Sequence, residues 1–267
     1  MLRLDVAIPV YNAAATLEAA TMSALQQPQV DTVWLVDDAS TDNSLAVMQR
    51  LQQQHAERVR IIALPQNGGV SVARNQALWR SQAECIAFLD ADDAYLPGAL
   101  EAPWVALSQQ PMLGLVRLGL LAQGFPTHFM QHPGFARAWQ SLEMTVGGNT
   151  VFRRAVLLAC GGFPEDALFR RLGGEDAALG IALTRASVVG TLFAEKTVVH
   201  NYRPGMHAER LLNAHLGLLS SAPASAEDLA AAEAVTQRIV QQLAAVRASL
   251  DVAQTGICPL HITRGEA

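Results

Sequence analysis

Within residues 1–93, four short apolar runs alternate with stretches of helical periodicity, and each run ends in polar side chains or a turn. The runs are Leu4 to Pro9, Val33 to Val36, Val59 to Leu64 and Cys85 to Leu89. Between them, Thr16 to Gln27 carries Leu17, Ala20, Ala24 and Leu25 on one stripe. Asp42 to His55 carries Leu45, Met48 and Leu51 at spacings of three, and Gly69 to Ser81 also reads as helix. Strands separated by helices of ~10–15 residues require crossovers, and right-handed βαβ crossovers build a parallel sheet. Helices cover both faces of such a sheet, so its strands read as unbroken apolar runs, as Cys85-Ile86-Ala87-Phe88-Leu89 does. The fold class expected is α/β: a Rossmann-like, mostly parallel sheet with helices on both faces, followed by C-terminal helices.

Further along, the pattern loosens. Leu115 to Leu121 reads as a strand. Gln123 to Trp139 mixes Phe125, His128, Phe129, His132, Phe135 and Trp139 with Gly and Pro, and reads as an irregular loop. Gly147 to Arg153 leads into a helix near Ala155 to Ala159, and Gly161-Gly162-Phe163-Pro164 reads as a turn. Asp176 to Ala186 reads as helix and Val188 to Phe193 as strand. Glu227 to Leu250 is Ala-rich, with Ile239, Leu243 and Val246 on one helical stripe, and Gln254 to Ala267 reads as loose.

With 51% apolar and 16% charged residues, the 267-residue chain has ample material for a core, which excludes global disorder. Its formal net charge of −5 argues against a general nucleic-acid binder, so no nucleic-acid partner is expected. Cys85, Cys160 and Cys258 are odd in number and far apart. They build neither a disulfide framework nor a zinc site, and read as buried free thiols in a reducing cytoplasm. Met1 to Val10 carries Asp5 and runs into Pro9, unlike a signal peptide. Arg117 interrupts the most apolar stretch, Pro111 to Phe125, so no transmembrane segment is expected. The expected location is the cytoplasm, with peripheral contact at the inner face of a membrane left open. The C-terminal helical stretch gives such contact little support, because Glu227, Asp228 and Glu233 outweigh Arg238 and Arg247.

Ligands of open parallel sheets bind beyond the carboxyl ends of the strands. The polar residues there are Tyr11 and Asn12, Asp37 and Asp38, Asn67, and then Asp90, Asp92 and Asp93. Three carboxylates within four residues repel one another in a poorly solvated crevice, and a divalent cation is the simplest compensation. Mg²⁺ and Mn²⁺ suit carboxylate and water oxygens and are often held by one or two carboxylates plus substrate phosphates. The plainer reading is a solvated turn that caps the next helix. Asp37 or Asp38 can accept a hydrogen bond from a nucleobase N–H or a ribose hydroxyl. Thr41 or Asp42 reads more simply as a helix cap. In Asn67-Gly68-Gly69-Val70-Ser71-Val72-Ala73-Arg74-Asn75, glycine permits close backbone approach and Arg74 can receive a phosphate or carboxylate. A turn with a structural arginine is the alternative. All these segments fall on one edge of one sheet, which the plainer readings do not predict.

Four of these segments together resemble family 2 glycosyltransferases of the GT-A fold. They are Val6-Ala7-Ile8-Pro9-Val10-Tyr11-Asn12, Val36 to Asp42, Asn67-Gly68-Gly69 with Ala73-Arg74-Asn75, and Phe88 to Asp93. The resemblance covers about the first hundred residues and continues in Phe152-Arg153-Arg154, Gly161-Gly162-Phe163-Pro164 and Gly174-Glu175-Asp176. It implies a nucleotide-sugar-binding and catalytic GT-A domain over residues 1–205 and a C-terminal helical extension and tail over 206–267. It puts Pro9, Tyr11, Asn12, Asp37, Asp38, Gly69, Arg74 and Asp90 around the nucleotide of the donor. The Asp-x-Asp motif maps to Asp90 and Asp92, both candidate metal residues: Asp90 would lie near the ribose, and Asp92 would ligate a Mn²⁺ or Mg²⁺ ion bridging the diphosphate. Asp176 is the expected general base, beside Glu175, in a displacement that inverts the anomeric configuration. Asp176 is also a first-turn acid of a helix, a position that favours acids on structural grounds alone. His200, in Val198-Val199-His200-Asn201-Tyr202-Arg203, is placed either as a metal ligand, as in some relatives, or as a core histidine. Arg203 is open to pairing with diphosphate or to standing as a surface residue, and His207 is a weaker candidate for either role.

The implied function is metal-dependent, inverting transfer of a sugar from a UDP- or GDP-linked donor to a carbohydrate or lipid-linked acceptor. The alternatives are a non-catalytic nucleotide-sugar-binding protein of the same fold, or a nucleotidyltransferase. The last should carry a Gly-rich basic loop after the first strand, where this chain has Pro9-Val10-Tyr11-Asn12. Ala39 stands where the family often has glycine, and 119–146 matches no pattern.

Overall fold

The computed structural model describes residues 2–218, 225–250 and 256–260. Strand β1 (Leu4–Val10), helix α1 (Leu17–Leu25), β2 (Val30–Asp37), α2 (Ser44–Gln54), β3 (Val59–Ala63), α3 (Val70–Arg80) and β4 (Cys85–Phe88) follow in the order the apolar runs predict. Parallel pairing joins β1 to β2, β2 to β3 and β1 to β4. Side chains alternate between two cores. Leu4, Val6, Ile8 and Val10 of β1 enter one and Ala7 the other. Strand β2 starts earlier than its apolar run, because Val30 pairs with Leu4 and is buried even though polar Asp31 and Thr32 follow.

The chain continues through β5 (Ala94–Tyr95), α4 (Glu101–Gln109), β6 (Leu113–Gln123), α5 (Thr127–Met130), α6 (Phe135–Glu143), β7 (Thr150–Arg153), α7 (Arg154–Ala159), α8 (Ala167–Leu172) and α9 (Glu175–Ala186). It ends with β8 (Val188–Asn201), α10 (His207–Leu216), α11 (Ala226–Leu250) and β9 (Gly256–Pro259). The sheet order is β3-β2-β1-β4-β7-β6-β8-β5, with β9 on β8. Strand β7 runs antiparallel to β4 and β6, and β5 antiparallel to β8; the remaining pairs are parallel. This is a mostly parallel α/β sheet covered on both faces. One core draws on α1, α2, α4, α6 and α10, the other on α3, α7, α8, α9 and α11.

Several elements differ from the sequence reading. Residues 123–139 do not form an irregular loop: they include α5 and the start of α6. Phe135, Ala138, Trp139 and Leu142 repeat at helical spacing. The Phe125 ring meets Trp139 edge-on at 5.0 Å, and Trp139 Nε1 donates to the Leu120 carbonyl at 3.0 Å. Helix α4 tolerates Pro103 because that residue sits in the first turn, where no intrahelical N–H bond is lost. Strand β8 does not stop at Phe193. A bulge shifts its register against β6 between Leu118–Leu192 and Gly119–Lys196, after which it runs on to Asn201. Residues 256–259, read as loose, pair in parallel with β8; 254–255 and 261–267 lie outside the described residues. In α11 the buried stripe is Val235, Ile239 and Leu243, while Val246 is exposed. Cys85 and Cys160 are buried free thiols, pushed up to about 11 and about 12 by burial; the side chain of Cys258 lies outside the described set. Among the described residues no helix is long and apolar enough to cross a membrane.

Candidate active site

A cavity of about 1020 Å³ opens beyond the carboxyl ends of β1, β2 and β4. Pro9, Tyr11, Asn12, Asp38, Gly69, Arg74, Asp90, Asp92, Glu175, Asp176 and His200 all line it. Asp37 does not. It is buried, and its Oδ1 accepts from the Ser40 backbone N–H at 3.1 Å, which fixes the turn after β2.

Two loops form the first wall. Asn12 takes a positive φ of 51°, and its Oδ1 accepts from the backbone N–H groups of Thr41 at 2.8 Å and Asp42 at 3.3 Å. The Asn12 N–H donates to Ser40 Oγ at 3.0 Å. Asp42 accepts from the backbone N–H groups of Ser44 and Ala14, and so holds the start of α2 against the loop after β1. Tyr11 stays about half exposed beside them. Asp38 is buried, and its two carboxylate oxygens accept from the N–H groups of Gly68 at 2.6 Å and Gly69 at 2.8 Å. Gly69 has a φ of 90°, the left-handed region that glycine enters without strain. Asp38 is thus the clasp between the β2 loop and the turn into α3.

Arg74, on α3, forms the floor. Its Nη2 donates to Asp90 Oδ1 at 2.9 Å and its Nη1 to Glu175 Oε1 at 3.5 Å. Its guanidinium carbon lies 5.0 Å from the centre of the Phe163 ring. Burial opposes the charge, but Asp90, Glu175 and Asp176 together hold the Arg74 pKa above its ordinary value. Of the readings open to Arg74, a phosphate or carboxylate receiver or a structural arginine, the contacts made here are with protein carboxylates, through Nη1 and Nη2. Glu175 is held above the usual carboxylate range by burial and by the Asp176 charge, against the pull of Arg74. Asp176 opens α9, and its Oδ1 accepts from the Ala177 N–H at 2.8 Å. Gly147 and Gly148, just before β7, lie directly against this cluster. A Cβ on Gly147 would sit 3.2 Å from both Arg74 Nη2 and Asp176 Oδ2, and one on Gly148 would sit 3.0 Å from Asp90 Oδ2. The sequence reading left this glycine pair without a function; its only signal was two adjacent glycines ahead of a strand.

The three aspartates after β4 each meet a different side chain of the protein. Asp90 meets Arg74. Asp92 Oδ2 accepts from Arg203 Nε, and the Asp92 carbonyl accepts from Asn201 Nδ2 at 2.7 Å. Asp93 is buried, with Oδ2 2.6 Å from His200 Nδ1 and Oδ1 accepting from the Asn201 N–H at 2.9 Å. A divalent cation is the simplest compensation for their repulsion but not the whole of it: Arg74 and Arg203 bring positive charge to Asp90 and Asp92. Among the described residues no three His, Cys, Asp or Glu side chains gather into a metal cage. The donor set still fits a cation that draws most of its ligands from phosphate and water. Asp92 is 20% exposed, and the Arg203 side chain on it is 66% exposed and displaceable. His200 binds Asp93 through Nδ1, which leaves Nε2 for a ligand, the arrangement common to metal-bound histidines.

The sequence model of Glycosyl transferase family 2 matches residues 5–158, more than half of the chain. The chain belongs to glycosyl transferase family 2. It is similar to the succinoglycan biosynthesis protein ExoU of Rhizobium meliloti, at 39% identity over 93 residues, covering 35% of this chain and 27% of that protein. It is equally similar to a chondroitin synthase of Pasteurella multocida, at 39% identity over 99 residues, covering 37% of this chain and 10% of that one. The matched segments span well under half the length of these curated relatives. Among solved structures, S. aureus TarS (residues 1–349) in complex with UDP superposes with a TM-score of 0.57 at 19% identity, covering 93% of this chain and 72% of that one. A mannosyltransferase, PcManGT from Pyrobaculum calidifontis, in complex with GDP-Man and Mn²⁺, gives a TM-score of 0.58 at 22% identity, covering 95% and 76%. The fold of this family 2 member is the GT-A fold.

Proposed function

We propose that this glycosyltransferase moves a sugar from a UDP- or GDP-linked donor to a carbohydrate or lipid-linked acceptor, with inversion and with a divalent cation. One observation carries the reading: the clasp at Asp38, the carboxylates Asp90 and Asp92, and the acid pair Glu175–Asp176 line one cavity although they come from separate stretches of sequence. The solved relatives that hold UDP or GDP-Man with Mn²⁺ support the donor class and the metal.

In this reading the nucleoside rests between Tyr11, Asn12 and the Gly68–Gly69 turn that Asp38 braces. Asp90, fixed by Arg74, faces the ribose. Asp92 and His200 Nε2 would hold the cation, and a bound cation would supply charge neutralisation for the departing diphosphate. The acceptor hydroxyl attacks the anomeric carbon from the face opposite the diphosphate. Asp176 takes the hydroxyl proton as the new C–O bond forms, the bond to diphosphate breaks, and the nucleoside diphosphate leaves. Glu175, tied to Arg74, anchors the start of α9 beside Asp176.

The test is a thermal-shift screen of UDP, GDP and other nucleoside diphosphates with and without Mn²⁺, joined to Asp176→Asn. A ligand that binds only the folded chain raises the melting temperature. The expected result is a base-selective shift that depends on metal, kept in Asp176→Asn while transfer collapses. Transfer unaffected by Asp176→Asn removes the base assignment.

A further inference from the structure

His207 is the first residue of α10 and lines the same cavity as Asp176. The Cε1–Nδ1 edge of its ring lies on the backbone of Gly173, three residues before Asp176. A Cβ on Gly173 would come within 3.0 Å of Cε1 and 3.1 Å of Nδ1. Gly173 has a φ of 74°, so the chain turns tightly beneath the imidazole just ahead of α9. Arg210, one turn along α10, brings Nη2 to 3.3 Å from His207 Nδ1. A guanidinium only donates, so Nδ1 is the acceptor and the ring proton belongs on Nε2. Among the described residues Nε2 has no hydrogen-bond partner of its own. Burial also lowers the His207 pKa, against the pull of the Asp176 carboxylate, and so favours the neutral ring.

A neutral imidazole with one fixed N–H beside the general base is a poor proton acceptor for the reaction and a good donor to an oxygen. Arg210 has already filled the lone pair that a base would need. We propose that His207 is an acceptor-binding residue: Nε2–H donates to an oxygen adjacent to the hydroxyl that Asp176 deprotonates. The acceptor is accordingly polyhydroxylated, a saccharide or polyol with neighbouring oxygens at the attacked end. This deepens the proposed function and rests on its assignment of Asp176.

The experiment compares two reactions of the full chain. One is hydrolysis of the nucleotide sugar, in which water takes the sugar and no acceptor is bound. The other is transfer to a panel of p-nitrophenyl hexosides and N-acetylhexosaminides, tried with UDP-glucose, UDP-N-acetylglucosamine and GDP-mannose. Loss of one hydrogen bond predicts an acceptor KM raised about tenfold in His207→Ala, with the rate of donor hydrolysis unchanged within about twofold. His207→Gln, whose amide N–H reaches about as far as Nε2, should recover most of the loss. Three results overturn the inference: an acceptor KM unmoved in His207→Ala, hydrolysis and transfer falling together in both variants, or a wild-type chain that hydrolyses donor but glycosylates no member of the panel. A wild-type chain that neither binds nor turns over any nucleotide sugar removes the underlying transferase reading as well, so the two failures are told apart.

Discussion

Asp93 Oδ2 lies 2.6 Å from His200 Nδ1, and the carboxylate is only 2% exposed. Burial pushes the Asp93 pKa up to about 6, against the hydrogen bond from His200. On His200 burial acts downward, but that same hydrogen bond and the Asp93 charge leave its pKa raised. The contact engages Nδ1 of a ring that lines the cavity and leaves Nε2 for a ligand. Asp93→Ala should therefore weaken Mn²⁺ binding by ~10–100-fold, the usual cost of losing such a partner. Asp93→Asn, which keeps an acceptor but not the charge, should fall between. Electron paramagnetic resonance titration of free Mn²⁺ reads this without any turnover. Nucleotide affinity in the absence of metal should not move.

Arg74 links two acids that lie far apart in sequence, Asp90 and Glu175, and its side chain is 5% exposed. Removing one partner of a buried ion pair strands the others. Arg74→Met should cost roughly 3 kcal/mol, the low end of the range for buried pairs because Asp90 keeps a third of its surface in water. For a chain of this size that lowers Tm by roughly 6–12 °C. Arg74→Lys keeps the charge but cannot bridge both carboxylates, and should lose about half as much. Differential scanning calorimetry decides; a drop in Arg74→Met no larger than that of an exposed arginine would mean the cluster is held by something else.

Ala39 occupies the left-handed region, with a φ of 57°, in the turn between Asp38 and Ser40. A Cβ is unwelcome there, by about 1–2 kcal/mol, whereas glycine is not strained. Glycine's greater freedom in the unfolded chain returns part of the gain. Ala39→Gly should stabilise the protein by roughly 0.5–1 kcal/mol net. Denaturant titration would show the midpoint rise with an unchanged slope. Ala39→Val should shift it the other way.

What the sequence could and could not disclose follows from the range of the interactions. Strands β1 to β4 and helices α1 to α3 are local patterns: each apolar run is continuous and each helix carries its own stripe. The polar residues at the ends of those runs therefore mark the cavity from local pattern alone. Asp37 and Asp38, by contrast, are neighbours of identical chemistry. Only the turn geometry sends Asp37 to the Ser40 N–H and Asp38 to the Gly68–Gly69 turn. Strand β8 reads as ended at Phe193 because exposed Glu195 and Lys196 follow, yet the register shift resumes it and delivers His200 to the cavity. The pairing of Arg74 with Glu175 spans 101 residues and has no local signature. Helix α6 was hidden because its aromatic stripe follows a Gly- and Pro-rich stretch that mimics loop composition.

Asp5 offers a test of the opposite end of the sheet. It is buried at 4% exposure, and its Oδ2 accepts from Trp34 Nε1 at 2.9 Å and from Ser81 Oγ at 2.6 Å. Desolvation raises its pKa above the ordinary aspartate value, although those two hydrogen bonds pull it down. The sign follows from linkage. A carboxyl whose folded pKa is raised binds its proton more tightly when folded, so its stabilising contribution is complete below the unfolded pKa of ~3.9 and is lost as pH rises through the folded pKa. Asp5→Asn removes the titration while keeping an acceptor for Trp34 and Ser81. The Tm of the variant minus that of the wild type should thus become more positive between about pH 4 and pH 7, all other carboxylates cancelling in the difference. Paired thermal melts across that range measure it. A difference that stays flat would mean that Asp5 titrates alike in the folded and unfolded chain, and that its two donors fully replace the water it lost.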